Sequence, residues 1–128
     1  MRMEIRILEN DAVEAHYDGL TVRTAQDGSA PAPFDLFLAS LGTCAGFYIS
    51  RFCRLRGIPT EGIRITQLSD QDPDTHMVRT VEIDVALPGN FPERYREAIL
   101  RAAGQCTVKR HLAVPPVIIV REVEPVEA

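Results

Sequence analysis

The longest apolar segment of the chain is FDLFLASLGTCAGFYISRFCRLR, residues 34–56. It is too long for a strand and contains no interior proline, so it predicts a helix, which Gly57 and Pro59 end. Apolar side chains surround nearly all of the first two thirds of this helix, a pattern typical of burial on more than one side. One sheet of a 128-residue chain covers only one face of a helix, so we expect a second subunit to cover the other.

Apolar and polar residues alternate on both sides of this helix, which predicts strands. Upstream, residues 1–25 predict three antiparallel strands separated by the turn-forming pairs Asn10-Asp11 and Asp18-Gly19. Downstream, we expect a hairpin, two helices and a last strand. Their predicted bounds are residues 62–68 and 77–87 for the hairpin, 92–103 and 107–113 for the helices, and 117–123 for the strand.

The predicted order of elements is β-β-β-α-β-β-α-β, with residues 107–113 as a short additional helical piece. Antiparallel sheets packed against a buried central helix define an α+β fold. The chain has the length of one domain, and we expect that domain to span residues 1–128.

The composition is that of an ordinary globular protein. Apolar residues make up 45% and charged residues 25%, which excludes a disordered chain. The 14 basic and 18 acidic residues show no basic patch, so no nucleic-acid partner is expected. The N-terminus lacks the apolar core of a signal peptide, and no uninterrupted apolar run is long enough to cross a bilayer. We therefore expect a cytoplasmic protein with no membrane partner, whose cysteines are reduced at rest.

Two cysteines lie on the central helix. Cys44 stands between Gly42 and Gly46, which share one helix face and would let a backbone, a helix or a substrate come close. Spacing alone favours an inert, buried Cys44, with a reactive thiol as the alternative. Cys53 falls on the opposite side of the helix from Cys44, among apolar neighbours, and is predicted to belong to the core.

The third cysteine, Cys106, lies at the N-terminal end of the helix predicted at residues 107–113. The helix dipole, with Lys109 and Arg110 one turn on, would favour a thiolate there. A buried cysteine at a corner between helices fits the same pattern equally well. His111 is either a base for a thiol or an exposed histidine of this helix.

Neither a metal nor a cofactor is expected. The cysteines and histidines lack the C-x-x-C or H-x-x-x-H spacing of zinc sites. The chain also lacks the G-x-S-x-G turn of hydrolases and a glycine-rich phosphate loop.

Two segments resemble signatures of the OsmC/Ohr family, the osmotically inducible and organic hydroperoxide resistance proteins. PFDLFLASLGTC, residues 33–44, is similar to the central-helix signature of the family. GQCTVKRHL, residues 104–112, is similar to its second cysteine motif. The two motifs occur in the family's order and spacing, and the resemblance extends over nearly the whole chain.

The resemblance implies an intertwined homodimer with two active sites at its interface. It implies an antioxidant oxidoreductase of the oxidative stress response, a thiol-dependent peroxidase that reduces organic hydroperoxides. Cys44 would attack the peroxide and become a sulfenic acid, and Cys106 would condense with it to a disulfide. A dithiol reductant would then restore both thiols.

Two further site residues follow from the resemblance. Arg23 corresponds to the arginine that holds the reactive thiolate, although an exposed strand arginine is also ordinary. Arg51, two turns beyond Cys44, is the alternative donor. Characterised members carry an acidic residue that orients the arginine, at the position that Phe34 occupies here. Asp35 is adjacent, but one helical step turns a side chain by about 100°.

The apolar neighbours of Cys44, among them Leu41, Phe47 and Tyr48, favour an organic peroxide as substrate. Because a fold does not determine its function, an alternative is a slow or non-catalytic dimer of the same fold that binds a small molecule.

Overall fold

The structure, a computed structural model, describes residues 1–125. It begins with an antiparallel sheet in the order β1-β2-β3, formed by Glu4–Ile7, Val13–Tyr17 and Leu20–Thr24. Asp18 and Gly19 connect β2 to β3 with positive φ angles of 47° and 77°, as a two-residue hairpin turn requires. The three predicted upstream strands are thus confirmed.

The predicted central helix is α1, Pro33–Leu55. Its first turn is capped by Asp35, whose carboxylate accepts the Ala32 N–H at 3.1 Å. The helix ends at Leu55; beyond it, Gly57 has a φ of 66°, and the Ile58 N–H donates to the Cys53 carbonyl at 2.9 Å. Glycine has no Cβ to disfavour this left-handed conformation, so it ends the helix as predicted.

The second sheet is an antiparallel pair, β4 (Arg64–Gln71) and β5 (Val78–Ala86). β4 runs beyond its predicted end because the turn begins only at Asp72. The Asp72 carboxylate accepts the N–H groups of Asp74 at 2.8 Å and Thr75 at 3.1 Å. The bond from Thr75, followed by that from Asp74, lowers the pKa of this carboxyl.

Two helices follow the second sheet. A 3-10 turn at Glu93–Tyr95 leads into α2, Arg96–Gly104, and α3 spans Thr107–Ala113. Both α2 and α3 pack against α1. The buried cluster lies between α1 and α2 and consists of Ile49, Phe52, Cys53, Phe91 and Ile99. Cys53 is fully buried, as predicted, and burial raises the pKa of its thiol.

The predicted last strand is wrong for the single chain. Residues 117–123 form no strand, so the described elements run β-β-β-α-β-β-α-α. Val117, Ile118, Ile119 and Val120 are instead strongly exposed, the last at 94%. The strand-forming preference of these residues is local, whereas a strand also needs a neighbouring edge to hydrogen-bond, and in the described chain this segment pairs with none.

Within the single chain the central helix is buried on one side only, and the expected cover of its other side by a second subunit stays a prediction. Its buried residues are Leu41, Ala45, Ile49, Phe52 and Cys53. Phe34 and Phe47 remain about half exposed, at 51% and 54%. By length and composition α1 would also be able to cross a membrane, a property that it shares with core helices of globular domains.

Candidate active site

The two glycines of α1 face the second sheet rather than a substrate. The Gln67 side-chain amide of β4 donates to the Leu38 carbonyl at 2.8 Å, and a Cβ on Gly42 would collide with that amide's oxygen. The Ile65 side chain lies 3.6 Å from the place of a Cβ on Gly46. Two side chains of β4 come close to these glycines, whereas a backbone, a helix or a substrate was predicted to do so.

Cys44 lies on a different side of α1 and is half-buried. Tyr48, one turn further on, shares a hydrogen bond of 2.9 Å with the Thr107 hydroxyl. Thr107 directly follows Cys106, so this bond ties the beginning of α3 to the turn of α1 beyond Cys44. The structure therefore brings the two cysteine-bearing segments side by side.

Cys106 is buried and forms the N-cap of α3, the position predicted for it. Its Sγ accepts a hydrogen bond from the Lys109 backbone N–H at 3.4 Å. His111 is exposed, and its Nδ1 donates to the Thr107 carbonyl at 2.7 Å. That ring nitrogen is engaged within the helix and is not directed at the Cys106 thiol.

An apolar cavity of about 470 Å³ lies between α1, β5, α2 and α3. Leu41, Ala45, Ile83 and Leu100 contribute to its wall, and Cys106 and Lys109 lie at its polar end. Cys44 does not line it, although Ala45 does. The cavity is thus open to the second cysteine of the proposed pair.

Arg23 and Asp35 are not brought together. Arg23 lies on β3 with its side chain 52% exposed, and its Nη1 donates to the Glu14 carboxylate at 3.4 Å. Asp35 instead caps α1 through the Ala32 N–H. Arg51 is exposed on the Cys44 side of α1 and makes no hydrogen bond or ion pair among the described residues.

Glu14 is a contact of Arg23 that the sequence analysis missed. The Asp18-Gly19 turn contained the necessary signal, because a two-residue loop pairs Tyr17 with Leu20 and therefore Glu14 with Arg23. Side chains directly opposite each other on antiparallel strands are neighbours on one face.

The first sheet packs only marginally against α1. The Ala25 N–H bonds the Pro31 carbonyl at 3.2 Å, which holds the end of β3 beside the segment leading into α1. Cys44 lies about 16 Å along the helix axis from the helix start, at about 1.5 Å per residue. Arg23 and Cys44 are therefore anchored at different places in the single chain.

The chain is thus an α+β protein with Cys44 and Cys53 on its central helix and Cys106 capping a neighbouring helix. A family model described as OsmC-like protein matches residues 26–121, and the chain belongs to the OsmC-like family. The resemblance seen in the two sequence motifs is confirmed. Among curated proteins the sequence has no match.

Solved structures share the fold. A Psychrobacter arcticus 273-4 protein assigned to the osmotic stress-induced and detoxification response is similar with a TM-score of 0.72 at 19% identity, over 84% of this chain and 85% of that one. An OsmC-like protein from Mycoplasma pneumoniae has a TM-score of 0.70 at 12% identity, over 88% and 86%.

A third similar structure is an organic hydroperoxide resistance protein OsmC from Legionella pneumophila, described as a predicted redox protein and regulator of sulfide bond formation. Its TM-score is 0.54 at 20% identity, and 87% of each chain is covered. At such identities the three likenesses concern the fold alone.

Proposed function

We propose that this protein is a cytoplasmic thiol-dependent peroxidase that reduces organic hydroperoxides with Cys44 and Cys106. The observation that carries the proposal is the Tyr48–Thr107 hydrogen bond, which holds the Cys106 end of α3 against the turn of α1 that follows Cys44. Membership of the OsmC-like family supports it, as does the fold shared with a protein described as a predicted redox protein.

Until the final step, the reaction needs only the hydroperoxide and the two thiols of the protein. The Cys44 thiolate attacks one peroxide oxygen, so that an S–O bond forms, the O–O bond breaks and the alcohol leaves with a proton. The Cys106 sulfur then attacks the Cys44 sulfenic acid, forming the disulfide and releasing water. A dithiol reductant returns both cysteines to thiols by two exchange steps.

We propose a homodimer, because several apolar surfaces of the single chain are uncovered. Exposed apolar patches of this extent mark interaction sites. They lie on the first sheet, on α1 and in the segment after α3: Ile5, Ile7 and Leu20; Phe34 and Phe47; Val117, Ile118, Ile119 and Val120. The last segment would find in a second copy the strand partner that its own chain does not provide.

Arg23 is proposed to hold the Cys44 thiolate within this dimer, where Arg23 of one subunit would meet Cys44 of the other. The separate anchoring of the two residues in the single chain supports an arrangement between subunits. Arg51, on the Cys44 side of the helix, stays the alternative donor. Charge-assisted hydrogen bonds of this kind stabilise an anion more strongly than neutral ones do.

Thiol counting after peroxide addition tests the proposal. One equivalent of cumene hydroperoxide should remove two thiols per subunit, dithiothreitol should restore them, and peptide mapping should find Cys44 linked to Cys106. Cys44→Ser should abolish peroxide consumption, whereas the matched variant Cys53→Ser should change little. A Cys44→Ser protein that still consumes peroxide, or a disulfide that involves Cys53, would overturn the assignment.

Cys106→Ser separates the two steps of the cycle. We expect the first oxidation of Cys44 to proceed unchanged and the sulfenic acid, with no second thiol to trap it, to oxidise further to sulfinic acid. Mass spectrometry of the Cys44 peptide measures this. A Cys106→Ser protein that still forms an intramolecular disulfide would contradict the proposed pairing.

A second function is favoured by the apolar cavity, which reaches Cys106 but not Cys44. In this alternative the protein is a dimer that binds a small apolar molecule in the cavity, and its cysteines react slowly with peroxide. Such a dimer would bind a fluorescent apolar probe saturably. It would also leave the hydroperoxide intact. Measuring how much hydroperoxide is consumed by an equimolar amount of the protein distinguishes the two functions directly.

A further inference from the structure

We propose that Glu14 is the carboxylate that positions Arg23 for its contact with the Cys44 thiolate. This inference rests on the proposed function, in which Arg23 is the thiolate's partner. Glu14 does not touch the reacting atoms, so its role is to orient a residue that does.

Glu14 is the fixed half of its pair with Arg23. The two residues lie directly opposite each other on β2 and β3, and Glu14 Oε2 is 3.4 Å from Arg23 Nη1. The Glu14 side chain is 21% exposed, against 52% for Arg23. An anchored carboxylate beside a freer guanidinium restricts the guanidinium, since arginine otherwise samples many rotamers.

A second contact holds Glu14 in place. Its other carboxylate oxygen, Oε1, lies 3.1 Å from His16 Nε2, and the opposite ring nitrogen of His16 contacts the Thr21 hydroxyl at 3.3 Å. The polar face of the first sheet therefore carries a short connected row of side chains that ends at Arg23. The contact uses one terminal nitrogen of Arg23, so donors on Nε and Nη2 remain for a thiolate.

The other acidic residues near Arg23 are engaged elsewhere. Asp35, the sequence-based candidate, accepts the Ala32 N–H as the cap of α1. Asp27 accepts hydrogen bonds from the hydroxyl and the N–H of Ser29, and these are the main causes that lower the pKa of its carboxyl, ahead of Arg23. Glu14 is the one carboxylate that contacts Arg23 within residues 1–125.

The experiment compares Glu14→Gln with Asp35→Asn in the full-length dimer. The readouts are the rate of Cys44 oxidation by cumene hydroperoxide and the pH dependence of Cys44 alkylation by iodoacetamide, followed on the Cys44 peptide. We expect Glu14→Gln to slow the oxidation of Cys44 about tenfold, because the Arg23 side chain regains the rotamer freedom that Glu14 restricts. The alkylation curve of Cys44 should also move to higher pH. Asp35→Asn should lower the melting temperature and leave both readouts unchanged.

A double variant tests whether Glu14 acts through Arg23. If it does, Glu14→Gln combined with Arg23→Ala should be no slower than Arg23→Ala alone, because coupled residues are not additive. Additive losses would overturn the inference. Glu14→Asp, which keeps the charge, should retain part of the rate and provides the comparison should Glu14→Gln fail to fold.

The inference and the proposed function fail in different ways. An Arg23→Ala protein that oxidises at the wild-type rate removes Arg23 from the proposed site altogether. An Arg23→Ala protein that is slow, with a Glu14→Gln protein that is as fast as wild type or faster, overturns the positioning role alone.

Discussion

The two sheets of this chain have opposite surroundings. β5 lies beside the buried cluster, where Val85 packs against residues such as Phe52 and Ile99. The first sheet satisfies its backbone hydrogen bonds in the same way, but its apolar residues Ile5 and Ile7 are 60% and 86% exposed. Backbone pairing thus defines both sheets, while burial stabilises one of them within the chain. In the proposed dimer, the second copy would cover the other.

The largest expected effect lies in the buried cluster, which contacts within the single chain form. Phe52 is 7% exposed and Phe47, on the same helix, is 54% exposed. Phe52→Ala should lower the free energy of unfolding by about 3–5 kcal/mol through lost burial and a cavity. Phe47→Ala should lower the stability of the subunit far less and should mainly weaken the association of the two subunits. Urea unfolding at one fixed protein concentration measures both, and equal losses would contradict the comparison.

The next effect lies in the segment after α3, which we propose to be covered by a second copy. Ile118→Asp would bury an unpaired carboxylate in the proposed subunit contact, at a cost of several kcal/mol. We expect the dimer dissociation constant to rise at least about tenfold, which corresponds to about 1.4 kcal/mol, with unchanged helix content. Sedimentation velocity measures the association, and Thr60→Asp, in the exposed loop after α1 and outside the proposed contact, is the control. A fully dimeric Ile118→Asp protein would show that this segment packs elsewhere.

A smaller effect, with opposite signs at two positions, tests the contact between α1 and β4. Gly42→Ala should destabilise by about 1–2 kcal/mol, because its Cβ displaces the Gln67 amide and the cost exceeds the gain in helix propensity. Gly46→Ala meets Ile65 at an ordinary contact distance of 3.6 Å and should stabilise by about 0.5–1 kcal/mol. Thermal unfolding of both variants measures this, and two changes of the same sign would refute it.

The smallest effect is a pH dependence that originates in the core. Burial raises the pKa of the Cys53 thiol above the unfolded value of about 8.5. The stability from the neutral buried thiol is complete below that unfolded value and is lost as the pH rises through the higher folded value. Urea unfolding in reductant from pH 7 upward should therefore show a steeper alkaline fall for wild type than for Cys53→Ala. Parallel curves would mean that Cys53 ionises equally in both states.

Features set by local chemistry could be predicted from the sequence. The bounds of α1 follow from apolar periodicity and from Gly57, and the hairpin of β2 and β3 follows from Asp18-Gly19. The strand at residues 117–123 could not be predicted correctly for the single chain, because its formation depends on a partner edge that local preference does not report.

The same distinction between local chemistry and tertiary contacts applies to the candidate site. The N-cap position of Cys106 was predictable from its place before a short helix. The engagement of Asp35 as a cap was not, because the same carboxylate at the head of α1 serves either the backbone or an arginine. Which of the two it serves depends on where β3 lies, and that is a tertiary property.

The hydrogen bond from Gln67 to the Leu38 carbonyl also sets the axial alignment of α1 along β4. The amide fits where Gly42 leaves the helix surface bare, so this contact favours the observed position of the helix along the strand. A slip by one turn would translate Cys44 by about 5.4 Å. Such a shift would also carry Tyr48 out of reach of Thr107. A side chain of β4 thereby favours one axial position of Cys44 relative to the helix that Cys106 caps.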